Sequence, residues 1–193
     1  MSATTTPDVP AAPRPRLPGP GAAARRLAEI LRVDHAGELG AVYIYRGQRA
    51  VLDARGGTLP AQLAHMEAQE AVHLAAFDRL LPEHGVRPTL FTPLWRLAGF
   101  ALGAGTALIG ETAAHACTEA VETVIEGHYA GQIEELSETH PTLAAELSGF
   151  RDDELEHRQD AIDGGAHTAP AYPALSVAIR GICHLAIAIS EKL

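Results

Sequence analysis

The 193-residue chain is poor in cysteine and in basic residues. Its two cysteines, Cys117 and Cys183, lie far apart and form no CxxC pair, so the sequence predicts neither a thiolate zinc site nor a disulfide framework. Lysine and arginine number 15 against 24 aspartates and glutamates. This acid excess argues against a phosphate-binding surface and therefore against a nucleic-acid partner. A reducing, cytosolic face is the simplest compartment.

Several motifs of other protein classes are also missing. The chain has no GxGxxG loop, so the sequence does not support a dedicated dinucleotide-binding domain, and no secretory hydrophobic segment is expected. Prolines crowd the N-terminus, and they disfavour the amphipathic helix of a mitochondrial transit peptide despite the arginines present there. We predict a disordered Pro-rich tail over residues 1–21 and one domain over residues 22–193.

From Ala22 onward, the apolar residues recur with helical spacing, and no stretch alternates like a strand. The predicted fold class is therefore all-α. Glycines and prolines divide this part of the chain into about five or six helices. The predicted breaks fall at Gly56 to Pro60, Pro82 to Pro93, Pro141, and Gly164 to Pro173.

Two segments are apolar nearly all round. Leu97 to Gly110 contains no charged residue, and Ala174 to Ile189 is interrupted only by Arg180. The first is too short to span a bilayer, which needs about 20 residues. Each segment is predicted to be either a buried helix or one that lies at a membrane surface.

Two helical seams carry charged residues where apolar ones are expected. The first seam consists of Leu59, Leu63, Met66, Glu70, His73, Phe77 and Leu80. The second consists of Leu143, Leu147, Phe150, Glu154, His157 and Ala161. In each, Glu-x-x-His places a carboxylate and an imidazole one turn apart on one face, where both can reach one cation.

The two seams belong to a repeat. The interval from Glu38 to Glu70 equals the interval from Glu122 to Glu154, so the two halves of the repeat are offset by a constant distance along the chain. Tyr45 and Tyr129 have the same offset. A duplicated helix pair would give one Glu from each of two helices and one Glu-x-x-His from each of the other two, the ligand set of ferritin-like carboxylate proteins.

The predicted metal ligands are Glu38, Glu70, His73, Glu122, Glu154 and His157. Four carboxylates carry about four negative charges, which two divalent cations neutralise. Oxygen-rich ligation with two imidazoles favours iron first and manganese second, because zinc sites usually draw on cysteine or on fewer carboxylates.

Three other residues are candidates for supporting roles. Asp34, one turn before Glu38, is placed to accept a hydrogen bond from a ligand imidazole, although a solvated aspartate fits equally well. His128 and Tyr129 are candidate catalytic residues that relay electrons or protons, against the alternative of a surface histidine and a packed tyrosine.

Six motifs in order resemble the demethoxyubiquinone hydroxylase family of ubiquinone biosynthesis. They are RVDHAGELGA (32–41), QEAVHL (69–74), RPTLFTPLW (87–95), GFALGAGTALIG (99–110), ACTEAVE (116–122) and RDDELEH (151–157). The resemblance covers the chain from about Leu27 to Leu193. It implies a ferritin-like four-helix bundle with additional apolar membrane-facing helices, and it carries the ligands over to the same six positions.

The resemblance also implies an activity. The family are di-iron monooxygenases that use O₂ to place a hydroxyl on the benzoquinone ring of a polyprenylated demethoxyubiquinone precursor. NADH or a reduced quinone is the implied electron source, and other ubiquinone-biosynthesis proteins are implied partners. The implied location is the membrane surface, either the cytoplasmic face of a bacterial cell membrane or the matrix side of the mitochondrial inner membrane.

Two other functions remain open at this point. A ferritin-type ferroxidase or iron-storage protein would share the ligands, but it has no use for the apolar run from Leu97 to Gly110. A non-catalytic scaffold that presents lipids to other enzymes of the pathway would use that run, but it has no need of six intact metal ligands.

Overall fold

The computed structural model describes residues 21–192, which form six α-helices. They are α1 (Ala22–Leu52), α2 (Leu59–Glu83), α3 (Thr92–Ile109), α4 (Glu111–Leu136), α5 (Pro141–Asp163) and α6 (Tyr172–Lys192). Short 3-10 turns follow α1 and α5, and residues 21–192 contain no β-strand, so the all-α prediction is confirmed. The tail predicted to be disordered lies, apart from Gly21, outside the described residues.

Proline and glycine set most of the helix boundaries. Pro60, Pro93 and Pro141 occupy the first turns of α2, α3 and α5, where a residue without an N–H costs no helical hydrogen bond. Gly110 separates α3 from α4 with a φ of 153°, a backbone conformation that favours glycine. The predicted breaks did not include Gly110. The uncharged run from Leu97 to Gly110 forms the C-terminal part of α3 and its C-cap.

The six helices lie in three layers. Helix α1 packs against α2, and α4 packs against α5, which gives the four helices of the bundle. Helices α3 and α6 pack on the outer side of α1 and α4. The ferritin-like bundle with two additional apolar helices is thus the architecture that the sequence predicted.

The predicted seams face the interior of the bundle. Every residue of the first seam is buried, and in the second only Phe150 is partly exposed. Apolar clusters lie on both sides of the charged residues, one around Leu31, Phe77 and Leu147 and the other around Leu63 and Met66. Each large apolar side chain buried there contributes about 1.5–3 kcal/mol, which holds the charged residues in a fixed frame.

Helix α3 lies unusually close to α1 because glycines face each other. A Cβ on Gly99 would lie 2.7 Å from the carbonyl oxygen of Gly40. A Cβ on Gly103 would overlap the carbonyl oxygen of Ile44, and one on Gly47 would overlap that of Phe100. The two backbones are therefore in direct contact, and α3 is a fixed wall of the molecule.

The outer surface of α3 and α6 is apolar. Leu97 and Leu108 on α3 are each 67% exposed, and Val177 and Leu185 on α6 are 71% and 61% exposed. We call this surface the apolar face. Within residues 21–192, α6 is also the one helix whose length and composition would suffice to cross a membrane.

Candidate metal centre

The six predicted ligands meet in the middle of the bundle. Helices α1 and α4 each contribute one glutamate, and α2 and α5 each contribute a Glu-x-x-His pair. None of the six residues is more than 1% exposed. A set of four carboxylates and two imidazoles this deeply buried needs compensating charge.

The candidate ligand atoms form two overlapping groups, each spanning no more than 4.8 Å. One group contains Glu38, Glu70, His73 and Glu154, and the other contains Glu70, Glu122, Glu154 and His157. Because two glutamates belong to both groups, the arrangement corresponds to two adjacent cation positions that share two carboxylates.

Glu70 and Glu154 are oriented to bridge the two positions. Glu70 Oε1 lies 3.1 Å from His157 Nδ1, and its Oε2 lies 3.7 Å from His73 Nδ1. Glu154 Oε1 lies 3.4 Å from His73 Nδ1, and its Oε2 lies 3.5 Å from His157 Nδ1. Each carboxylate thus presents one oxygen to each imidazole.

The far nitrogens of both imidazoles are held by acceptors. His73 Nε2 lies 3.0 Å from Asp153 Oδ2, and His157 Nε2 lies 3.0 Å from Gln69 Oε1. An amide oxygen and a carboxylate oxygen only accept, so each ring carries a hydrogen on Nε2 and directs Nδ1 at the carboxylates. Nδ1 is therefore the atom of each imidazole that a metal ion would bind in place of a proton.

Gln69 and Asp153 were not predicted, although the signal was available. Each residue immediately precedes the glutamate of a Glu-x-x-His pair, so the two occupy equivalent positions in the halves of the repeat. The repeat that identified the ligands also relates the residues that orient the imidazoles.

Two tyrosines hold the remaining glutamates across the halves of the repeat. Tyr45 donates to Glu122 Oε1 at 2.7 Å, and Tyr129 donates to Glu38 Oε1. Tyr129 therefore lies at the centre, whereas His128 contacts none of the six ligands and places Nε2 3.7 Å from Asp34 Oδ1. The relay role of His128 and Tyr129 remains a prediction.

The predicted hydrogen bond between Asp34 and a ligand imidazole is wrong. Gln132 Nε2 donates to Asp34 Oδ1 at 2.7 Å, while both ligand imidazoles bond to residues of α2 and α5 instead. Asp34 lies on α1 and faces α4, so it cannot reach Nε2 of either ring.

The residues present fit two divalent cations. Many of the buried ligand atoms have no hydrogen-bond partner among residues 21–192. They are Glu38 Oε2, both oxygens of Glu70 and Glu154, Glu122 Oε2, and Nδ1 of His73 and His157. Leaving this many buried polar atoms unpaired is costly unless a cation binds them.

The pKa values of the ligand residues also indicate a site that favours bound cations. Burial lowers the pKa of His157, but the contacts with Glu154 and Glu70 outweigh it and raise that pKa to about 10. Burial together with the nearby Glu70 raises the pKa of Glu38 well above its ordinary value. The strongly negative potential of the centre thus favours positive charge, whether protons or metal ions.

An apolar cavity of about 250 Å³ adjoins the centre between α1, α3, α4 and α6. Of the six ligands only Glu38 lines it, together with Tyr129. Trp95 and Ser190 also line it, and the Trp95 indole N–H donates to Ser190 Oγ at 3.1 Å, which links α3 to α6. The cavity lies directly beneath the apolar face.

Comparison with known proteins identifies the relatives of the chain. A Rhodospirillum rubrum protein named 3-demethoxyubiquinol 3-hydroxylase is 52% identical over 177 residues, which cover 92% of this chain and 83% of that protein. The human NADPH-dependent 3-demethoxyubiquinone 3-hydroxylase, mitochondrial, is 49% identical over 168 residues, covering 85% and 76%. The Saccharomyces cerevisiae 5-demethoxyubiquinone hydroxylase, mitochondrial, is 45% identical over 182 residues, covering 86% and 78%.

The profile of the family described as ubiquinone biosynthesis protein COQ7 matches residues 25–190. This match covers nearly all of the part of the chain that the structure describes, and it confirms the resemblance that the six sequence motifs carry. The chain belongs to the COQ7 family of ubiquinone biosynthesis proteins.

Proposed function

We propose that this protein is a di-iron monooxygenase that uses O₂ to hydroxylate the benzoquinone ring of a polyprenylated demethoxyubiquinone precursor. The observation that carries the proposal is the pairing of two features, a buried set of four carboxylates and two imidazoles and an apolar cavity that touches it at Glu38. The names of the relatives, which are demethoxyubiquinone or demethoxyubiquinol hydroxylases, support the same substrate class.

The donor set favours iron at both positions. Carboxylate oxygens and imidazole nitrogens in this ratio suit iron or manganese, whereas zinc sites usually contain cysteine or fewer carboxylates. Glu38, Glu70, His73 and Glu154 would hold one iron, and Glu70, Glu122, Glu154 and His157 would hold the other. When bound, ferrous iron supplies the electrons with which O₂ is activated.

The protein itself positions the groups and excludes water. Asp153 and Gln69 fix the two imidazoles, and Tyr129 fixes Glu38 at the point where the cavity meets the centre. The apolar cavity wall would surround the ring and limit the access of bulk water to it.

The oxidation state of the ring decides the source of electrons. A quinol and O₂ balance to the hydroxylated quinone and one water, so a reduced ring needs no other reductant. A quinone ring needs two added electrons, which NADPH or NADH can supply. The relatives' names include both forms, one naming the quinol and another NADPH dependence.

The test is a single-turnover experiment on the purified protein loaded with ferrous iron without oxygen. We expect about two irons per chain. Admitting O₂ in the presence of a short-chain demethoxyquinol should add one oxygen atom to the ring, and mass spectrometry detects that oxygen in the product, as the quinol where the iron supplied the two electrons or as the quinone, with two hydrogens fewer, where the ring supplied them. One tightly bound zinc and no iron, or full iron loading with no oxygen inserted, would contradict the proposal.

Iron storage of the ferritin type is the less favoured function. A storage protein oxidises aqueous iron and has no use for an apolar cavity beside the metal positions or for an exposed apolar face. In the same experiment, oxidation of excess ferrous iron with no change in the quinol would favour it.

We further propose that the apolar face seats the protein on a membrane surface. A long prenyl chain stays in lipid, and the cavity lies between the two helices that carry this face. The eukaryotic relatives are named mitochondrial. The surface we propose for this protein is the cytoplasmic face of the cell membrane in a bacterium, or the matrix side of the inner membrane in a mitochondrion. Other proteins of the pathway would meet the enzyme at that surface.

Changing both Leu97 and Leu108 to glutamate should weaken binding to liposomes at least tenfold, since burying one such side chain contributes about 1.5–3 kcal/mol. Flotation with liposomes measures the change. Turnover of a long-chain quinone should fall with it, while a short-chain quinone is still hydroxylated. Leu102 is left unchanged because it is partly buried and lines the cavity.

The matched control is Val72→Glu. Val72 is 65% exposed, but it lies on α2, in the layer farthest from the apolar face. It should not alter liposome binding. Loss of iron in the Leu97 and Leu108 variant, with equal loss of both activities, would mean that these residues support the bundle instead.

A further inference from the structure

The cavity beside the metal centre offers few hydrogen-bond donors, and several are already engaged. Tyr129 donates to Glu38, and the indole of Trp95 donates to Ser190. Two wall atoms have no hydrogen-bond partner among residues 21–192, Asp34 Oδ2 and His128 Nε2, and the latter lies 3.7 Å from Asp34 Oδ1. A quinone oxygen can only accept hydrogen bonds, so a ring in this cavity needs a donor from the wall.

Asp34 is the more deeply buried of these two residues. It is 4% exposed, and Gln132 occupies its Oδ1 and leaves Oδ2 free. It precedes Glu38 by about one helical turn, which is about 6 Å along the helix axis, so a ring bound to Asp34 would lie beside the metal centre. Ser190, whose hydroxyl also lines the cavity, lies on α6 instead.

A buried carboxyl of this kind can act as a donor. Burial raises the pKa of Asp34 to about 8, although the hydrogen bond from Gln132 opposes the rise. At neutral pH the group therefore retains its proton. A neutral carboxyl donates through its hydroxyl and accepts through its other oxygen, so it can pair with a quinone or a quinol.

The internal repeat shows that the carboxyl is not needed for packing. The repeat relates Gln48 to Gln132 and Asp34 to Thr118. In the other half of the repeat, the Gln48 side chain donates to Ala114 O at 3.1 Å and to Thr118 Oγ1 at 3.5 Å. Thr118 does not line the cavity. A neutral hydroxyl thus supports the glutamine on that side, and a carboxyl occurs only where the cavity is.

We propose that Asp34 hydrogen-bonds a ring oxygen of the bound quinone or quinol and thereby orients the ring at the Glu38 end of the metal centre. This deepens the proposed function and rests on it for the identity of the ligand. Since the cavity touches Glu38 but not Glu122, the ring approaches only one of the two cation positions.

The protein contains its own probe for the test. Trp95 is the single tryptophan of the chain and lines the cavity, so a quinone that binds there should quench its fluorescence. We would titrate iron-loaded protein, without O₂, with the one-isoprene form of 2-polyprenyl-3-methyl-6-methoxy-1,4-benzoquinone. The second ligand is a competitor that carries the same substituents on a benzene ring and lacks both ring oxygens. Its dissociation constant measures the part of binding that depends on shape alone.

Asp34→Leu should weaken quinone binding by about five- to twentyfold, the effect of one hydrogen bond, and leave binding of the oxygen-free ring within about twofold. Asp34→Asn keeps a donor and should stay within about threefold of the parent for both ligands. The matched control is Thr118→Val at the equivalent position of the other half, which should change neither.

The deciding quantity is the ratio of the dissociation constant of the quinone to that of the oxygen-free ring, measured on one sample. Partial unfolding weakens the binding of both ligands equally and leaves this ratio unchanged. Asp34→Ala offers a second comparison if the leucine variant folds poorly. An unchanged ratio in either variant would overturn the assignment. The measurement needs no turnover, so a protein that binds as expected but does not hydroxylate would reject the proposed function and leave Asp34 as a binding residue.

Discussion

Glu154→Gln should lower hydroxylation by more than a hundredfold and prevent the protein from holding two irons. The near-isosteric amide keeps the volume of the side chain but cannot bridge two cations with negatively charged oxygens. Loss of an outer partner of a metal ligand typically costs about 10–100-fold, and loss of a bridging ligand should exceed that. Iron content by metal analysis and turnover by product mass measure the two effects.

The same substitution should destabilise the metal-free protein. Without cations, Glu154 Oε1 lies 3.4 Å from His73 Nδ1 and Glu154 Oε2 lies 3.5 Å from His157 Nδ1, and these contacts raise the pKa of both imidazoles. Removing the charge of Glu154 therefore leaves buried positive charge without its partner. Each kcal/mol lost lowers the melting temperature by roughly 2–4 °C in a chain of this size, so we expect a fall of at least a few degrees by circular dichroism in the presence of a chelator.

The control for both measurements is Glu156→Gln on the same helix. Glu156 is exposed and is not among the ligands, so this variant should keep its iron, its turnover and its melting temperature. A Glu154→Gln protein that retains two irons at parental affinity would show that Glu154 is not a ligand. A higher melting temperature without metal would show instead that repulsion among the carboxylates outweighs the pairing of Glu154 with the imidazoles.

Gly37→Phe should abolish quinone turnover while iron remains bound. Gly37 lines the cavity, and a Cβ at this position meets no atom within 4 Å, so a side chain can extend into open space. A phenyl ring is about as large as the benzoquinone ring that the cavity is proposed to hold. We expect turnover to fall at least a hundredfold and quenching of Trp95 by the quinone to disappear.

Gly37→Ala separates occupation of the cavity from a change in the helix. The methyl group adds little volume, and replacing a glycine inside a helix stabilises it by about 1 kcal/mol. This variant should retain turnover and melt at a slightly higher temperature. If Gly37→Phe lost iron together with turnover, the side chain would have disturbed the bundle, and the loss of turnover would not support the cavity as the quinone site.

The metal centre could be predicted because its residues contradict their local pattern. Glu70 and Glu154 occupy seam positions that burial reserves for apolar side chains, and the internal repeat makes the same contradiction occur twice. Gln69 and Asp153 follow the same repeat, so the sequence held their positions as well. Helical periodicity together with an internal repeat was sufficient for this part.

The cavity and the partners of Asp34 could not be predicted in this way. They depend on how α3 and α6 lie across α1 and α4, and spacing along one helix does not fix the contacts between helices. Asp34 and Glu38 lie one turn apart, which suggested a shared role, yet the first faces α4 and the second faces the metal centre. Spacing along one helix predicts which residues share a face. It does not predict which residues of other helices contact that face.

The glycine contacts between α1 and α3 divide the surface of α3 into two zones of unequal tolerance to mutation. At Gly99 and Gly103 any side chain meets the backbone of α1, so random substitution there should yield few folded variants. On the outer side of the same helix, Leu97 and Leu108 contact little protein and can drift among apolar residues of different shape. A lineage could therefore adapt this helix to lipids of different composition through its outer residues, while the distance between α3 and the metal centre stays unchanged.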